Sequence, residues 1–383
     1  MQYFVLLLPI LQFGFSWWIN VSTLACLLIL IKLRIDRVHI KSLVLSPYIA
    51  LVFLMYLTYL SQDFGNIHSF LRVSREALVL LLMLLLMGKF EKWNTSELNL
   101  KFDNVLLLIS FCELFLVIIQ FIGIKKGIWF GPSSDWFAGR GNVIPTILDL
   151  RYSKIRPSGT FSEPSYLGII CISLMMMSGF NKRLNKKNFM ILYLNYLIII
   201  LSQSKSALLF GSILLFLHYK RSDGGIKFYY RSLIVPIFVI LSLLNSVFLL
   251  GILSSSKGSL SIQNRIFRPF EMLFGYLMSN PLGSSFYKRI YGLADNVSGL
   301  TWESVLHNSF FNLIFSYGIV GFFLIFGILR FSKRDKIVLL YLVSAMLQNG
   351  SFLDFDKLYL VFFTISIYRL RVRNIFANHK VDS

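Results

Sequence analysis

The feature that most constrains this chain is how closely its apolar runs follow one another. They fall near 3–15, 17–33, 43–60, 77–88, 104–124, 164–180, 189–202, 206–219, 232–252, 309–330, 337–349 and 358–369. Apolar stretches of this kind are what a bilayer demands of a spanning helix. The gaps leave no room for the soluble domains that a chain of 383 residues would otherwise form. Lipid offers no partner to a free backbone N–H or C=O, so only helices or closed barrels cross it. Period-2 alternation is absent, which excludes a barrel. The expected fold is an all-α polytopic membrane protein, a single transmembrane domain over 1–383 with about 12 helices. Charged residues make up 15% of the chain, well below the roughly 25% of soluble domains, in agreement with that reading.

The formal charge of +20 raises the question of nucleic acid. No Gly-rich basic arm or aromatic-interleaved basic stripe accompanies it, so nucleic acid is not an expected partner. The charge has a topological explanation instead. Segments 32–41, 89–101, 182–187, 220–231, 330–336 and 369–380 hold about 23 of the 38 Lys and Arg residues. Short basic loops mark the cytoplasmic side. All six fall there if the span count is even and both termini are cytoplasmic. The amino terminus lacks a basic n-region and a small-residue cleavage site, and is read as a retained first span. Cys26, Cys112 and Cys171 lie in apolar runs and read as small core residues, without zinc or disulfide spacing.

Two connections on the opposite face, 125–163 and 254–308, are too long to be mere linkers. Both carry aromatics suited to the membrane interface and basic residues on the side where these are disfavoured. Arg140, Arg151, Lys154, Lys288 and Arg289 belong to that surplus.

Three motifs lie in or beside these loops. The first is Arg156-Pro-Ser-Gly-Thr-Phe-Ser-Glu-Pro-Ser-Tyr-Leu-Gly168. Pro157 and Gly159 make a turn, Ser162 is an expected N-cap and Pro164 suits a first helical turn. A membrane helix then starts at the outer surface with its free N–H groups and positive dipole end exposed, near Glu163 and a few residues after Arg156. An arginine fork beside a helix N-terminus is a cradle for diphosphate; Arg156 as an interfacial anchor is the plainer reading. The second motif runs from Asn264 to Met278. At helical spacing Ile266, Phe270, Leu273, Phe274 and Leu277 share one face, with Arg265 and Arg268 on the other, as in a helix lying in the interface plane. Pro269 allows the helix to begin at Arg268 instead. The third is His307-Asn308, where the second long loop meets the next span. A histidine there can act as a general base or serve structure alone.

Two smaller signals remain. Ser202-Gln-Ser-Lys-Ser206 places Lys205 in a tight outer turn, able to add charge to a site or only to anchor it. Asp354-Phe-Asp356 has a spacing by which some sugar transferases hold a metal, but it sits in a tight turn beside Lys357. Glu113 is the clearest acid within a span. A transporter should line its path with several such charges.

Taken in order, these parts resemble the bacterial O-antigen polymerase family, within the wider group that includes the O-antigen ligases. The resemblance rests on the Arg156 loop with Gly-Thr-Phe-Ser-Glu-Pro, the Ser-Gln-Ser-Lys turn, Asn264-Arg265, Asn280-Pro-Leu-Gly283, and His307-Asn308 followed by Tyr-Gly-Ile-Val-Gly. It covers about 150–325; Ser284 and Ser285 depart from the family's Gly-x-Gly after the proline. The resemblance implies a fold like the GT-C-type lipid-sugar glycosyltransferases in the bacterial inner membrane. It implies transfer of glycan from undecaprenyl diphosphate to a sugar hydroxyl of another lipid-linked repeat unit on the periplasmic face, in O-antigen synthesis. Arg156, Arg265 and His307 become the expected catalytic residues, with Arg268, Glu163, Asn308 and Lys205 binding substrate. Neither cofactor nor metal is implied; a chain-length regulator is an implied partner. An O-antigen ligase, a capsule or exopolysaccharide polymerase and a lipid-sugar flippase are the alternatives.

Overall fold

The computed structural model describes residues 47–62, 64–90, 98–132, 155–161, 163–178, 186–221, 267–283, 308–332, 335–348 and 352–379. Among these residues all regular structure is helical, in eleven helices: α1 (Pro47–Gln62), α2 (Ile67–Phe90), α3 (Leu98–Lys126), α4 (Pro164–Met177), α5 (Lys186–Ser202), α6 (Lys205–Arg221), α7 (Arg268–Ser279), α8 (Ser309–Tyr317), α9 (Ile319–Arg330), α10 (Lys336–Met346) and α11 (Phe355–His379). The expected spans 3–15, 17–33 and 232–252 lie outside the described residues.

By length and composition α3 is long and apolar enough to cross a membrane; α1, α4, α5, α6, α9 and α10 are shorter apolar helices. At 1.5 Å per residue α3 reaches about 43 Å, longer than the roughly 30 Å of hydrocarbon in a bilayer. The centre of the bundle is α4. Every residue from Ser165 to Met177 is buried, against α3, α5, α6, α10 and α11. A helix apolar on all sides belongs in such a position. Its one interior hydroxyl pair, Ser173 Oγ and Tyr341 Oη at 2.6 Å, ties α4 to α10.

Three expectations are corrected. The span expected at 77–88 starts at Ile67, because Arg72, Arg75 and Glu76 lie within the helix, where they pair with one another and their neighbours. The run 309–330 is two helices broken at Gly318, whose φ of +55° favours glycine. Cys112 is exposed on α3 while Cys171 is buried; α3 turns only part of its apolar surface to the bundle.

For the second motif the structure has the later of the two expected starts. Helix α7 begins at Arg268, with Pro269 in its first turn. It packs on α8 through Tyr276, which is buried against Phe311 and Phe315 and whose hydroxyl donates to the Phe315 carbonyl (2.5 Å). Leu273 and Leu277 join that contact, whereas Phe270 and Phe274 face outward. The apolar stripe thus packs along one edge and stays exposed along the other. Beyond α7 the turn at Pro281 accepts a bond from the Ile319 N–H (2.8 Å), and Gly283 rests against the Gly318 backbone.

One end of the bundle gathers the described parts of the expected basic connections. Arg371 pairs with Asp103 (2.6 Å) and donates to the Ser178 carbonyl (2.9 Å), joining α11, α3 and α4. Lys187 reaches Asn104 (2.8 Å), and Tyr368 donates to Asp335, which caps α10. Arg371→Ala leaves a mostly buried carboxylate without its hydrogen-bonded partner, so a loss of about 3 kcal/mol is expected. Thermal unfolding in detergent should show it; an unchanged Tm would count against this latch.

Candidate functional site

At the opposite end the Arg156 loop is held by α3. The N–H groups of Ser158 and Gly159 both donate to Gln120 Oε1 (2.9 Å each), while Gln120 Nε2 donates to the Gly159 carbonyl (2.8 Å). Seven residues earlier on the same face, Glu113 accepts from the Thr160 N–H (3.2 Å) and from the Thr160 hydroxyl. Gly159 has φ +62°, and a Cβ there would strike the Glu113 carboxylate. These polar groups are buried, and each finds its partner in the loop, as burial requires. Glu113 is therefore a scaffold for the turn.

So held, Arg156 donates from Nη1 to the Gln203 carbonyl (3.1 Å) in the turn between α5 and α6. Partial burial pulls the Arg156 pKa below the usual arginine value, and the Glu163 carboxylate pulls it back; the group keeps its charge at neutral pH. Close approach of α6 to α4 depends on Gly168, where a Cβ would meet Ser204 and Ala207. The cap of α4 is Glu163, not Ser162 as expected, because Pro164 opens the helix and makes the residue just before it the cap. The Glu163 side chain accepts from Ser165 Oγ (3.0 Å).

The start of α8 meets the same turn. Asn308 caps α8, its Oδ1 accepting from the Phe310 N–H (2.9 Å). Ser309 donates to the Gln348 carbonyl through both its N–H (3.0 Å) and its hydroxyl (2.8 Å). Gln348 in turn donates to Ser206 Oγ (3.0 Å). Lys357, buried in the first turn of α11, donates to Ser309 Oγ and to the Gln348 carbonyl (3.4 Å). The Arg156 loop, the 202–206 turn and Asn308 are thus assembled at one place.

Comparison with protein families matches residues 1–370 to the model described as WcaD colanic acid polymerase. The chain belongs to the WcaD colanic acid polymerase family. No curated protein matches the chain.

A member of the WcaD colanic acid polymerase family is a membrane-embedded polysaccharide polymerase, a glycosyltransferase-type enzyme acting on lipid-linked oligosaccharide. Of the residues expected to serve this enzyme, Arg156, Glu163 and Asn308 lie at the assembled end. Lys205 opens α6 in the turn that Arg156 contacts, and Arg268 opens α7; their side chains, like Arg265, His307 and Ser162 entirely, lie outside the described residues.

The sequence reading missed a further charged group of this family member. In α2 Arg72 Nε donates to Glu76 Oε1 (2.9 Å) and its Nη2 to Ser316 Oγ (3.0 Å). Glu76, fully buried, accepts the Tyr317 hydroxyl on its other oxygen (2.5 Å). Arg75 lies 3.6 Å from Asp354, while Asp356 hydrogen-bonds Tyr166 on α4. The two aspartates of the Asp354-Phe-Asp356 turn therefore serve different helices. The signal for this group was Arg72-x-x-Arg75-Glu76, whose i, i+3 and i+4 spacing puts three charges on one helix face.

Proposed function

We propose that the chain polymerises undecaprenyl-diphosphate-linked repeat units on the periplasmic face of the inner membrane, with both termini cytoplasmic. The bond from the donor's anomeric carbon to the diphosphate oxygen breaks as a sugar hydroxyl of the next lipid-linked unit attacks that carbon. His307 takes the hydroxyl proton, and the diphosphate leaves with its growing charge held by Arg156, Arg265 and Arg268. Glu163, Asn308 and Lys205 position the substrates beside them.

The observation that supports this most is the hydrogen-bonded path from Arg156 through the 202–206 turn and Gln348 to Ser309, two residues after His307. It brings the fixed guanidinium and the start of α8 into one polar end of an apolar bundle. The gathering of basic connections at the other end supports the orientation. The family description supports a polymerase over a ligase or flippase, and an exopolysaccharide product ahead of O-antigen.

Deletion of the gene tests the reading: the polymer is expected to shorten to single repeat units. Full-length polymer accumulating on its lipid carrier would instead mark a ligase. The purified protein should build polymer in the presence of a chelator, and Asp354→Ala with Asp356→Ala should retain activity. The Arg75 and Tyr166 partners of these aspartates support a metal-free mechanism. A folded but inactive double variant, or inhibition by the chelator, would reverse that part.

A further inference from the structure

The charges on α2 fall into two kinds. Arg72 is committed, with donors to Glu76 and Ser316, and Glu76 is locked in turn by Tyr317. This clamp fixes the rotation of α2 against α8. Arg75, one turn further along, is held differently. Among the described residues its guanidinium contacts are two ion pairs, to Asp354 at 3.6 Å and to Glu76 at 4.0 Å. Both exceed the distance of a good charge-assisted hydrogen bond. The Arg75 and Asp354 side chains are 37% and 34% exposed, whereas Glu76 is at 1%. A guanidinium more than a third exposed and held only by two long ion pairs keeps donors for another anion.

Its position says what it serves. Asp354 leads into α11, where Lys357 bonds to Ser309 and to the Gln348 carbonyl. On the other flank Arg156 contacts the 202–206 turn, which reaches the same Ser309 through Gln348. An arginine on α2 and another in the loop before α4 are thus both linked to the start of α8. An enzyme joining two lipid-linked units handles two diphosphates, one leaving and one remaining on the acceptor.

We propose that Arg75 is the binding residue for a second polyprenyl diphosphate, and that Asp354 is the counter-ion this diphosphate displaces. This rests on the polymerase reading above. A guanidinium fork matches paired phosphate oxygens better than one carboxylate at 3.6 Å, so exchange of partner favours the ligand. Arg72 keeps its own partners and holds the helix while the exchange takes place.

The test is a titration of the full-length protein in phosphatidylcholine nanodiscs with farnesyl diphosphate. The wild type is expected to bind two equivalents. Arg75→Gln should weaken one of them by about tenfold or more, the scale of a lost hydrogen bond to a charged group. Arg156→Ala should weaken the other. Asp354→Asn should tighten the Arg75 equivalent about two- to fivefold, the scale of a half-exposed ion pair. A structural pair predicts that Asp354→Asn weakens binding as Arg75→Gln does; that result, or unchanged binding in Arg75→Gln, overturns the site. Loss in Arg75→Gln with no change in Asp354→Asn keeps the site and overturns the displacement. Arg75→Lys, expected to fold and to recover binding in part, separates lost affinity from misfolding. Phosphatidylglycerol in the nanodisc distinguishes a lipid headgroup: abolition of the Arg75 equivalent there overturns the diphosphate assignment. If the wild type makes no polymer yet shows this binding pattern, the anion site stands and the polymerase reading falls. If polymer forms and Arg75→Gln changes neither binding nor KM, the reverse holds.

Discussion

Arg156→Ala is expected to reduce polymer formation from lipid-linked repeat units by roughly 10²- to 10³-fold, the scale on which a preorganised donor to developing negative charge contributes. The preorganisation is visible. Gln120 and Glu113 hold the loop by its backbone and by Thr160, and the Gln203 carbonyl takes one N–H of the guanidinium. An arginine has five such donors, so a fork remains for phosphate oxygens. Arg156→Lys should recover little, because an ammonium offers a point charge without the planar pair. The measurement is the product ladder made by purified protein in nanodiscs at matched protein level. Near-normal chain lengths in Arg156→Ala would remove this residue from the mechanism.

His307→Ala is the second large effect expected, a loss of about 10²- to 10⁴-fold in kcat. The residue immediately precedes Asn308, whose cap and whose neighbour Ser309 fix the start of α8 through Gln348 and Lys357. On the proposed mechanism His307 acts in the transition state and contributes little to binding the lipid, so KM should hold while kcat falls. Added imidazole should restore part of the rate in His307→Ala if a base is what was removed. A variant that loses KM and kcat together, or one that polymerises normally, would speak for a structural histidine.

The helical character and several span positions were legible in the sequence because apolar runs and charged gaps are properties of composition. Lys186–Ser202 and Lys336–Met346 fall within a few residues of their expected places. Helix α2 was not legible over its first ten residues. Arg72, Arg75 and Glu76 depress the local hydropathy, and only the fold reveals that Ser316, Tyr317 and Asp354 satisfy them. The break at Gly318 was hidden for the opposite reason: Ile314 to Val320 is nearly all apolar, and hydropathy is blind to a backbone angle. At the site, the Arg156 loop could be picked out because turn residues and a proline start are local signals. Its support by Glu113 and Gln120 depends on a contact some forty residues away, and there the only clue was their i, i+7 spacing on α3.

The burial of α4 on every side has a consequence for how the chain is made. Of the helices that cover it, only α3 precedes it in the chain; α5, α6, α10 and α11 follow. The loop at 156–160 finds Gln120 and Glu113 waiting as soon as it emerges, so one half of the polar end is set early in synthesis. The cover supplied by α11 arrives only after the ribosome has passed Phe355, on the order of ten seconds or more later at usual elongation rates. Until then Asp103 waits for Arg371 at one end, and Arg75 and Ser309 wait for Asp354 and Lys357 at the other. The last helix is therefore the clasp of the assembly. A nascent chain stopped short of it lacks the Asp103–Arg371 and Arg75–Asp354 pairs and leaves one flank of its central helix uncovered.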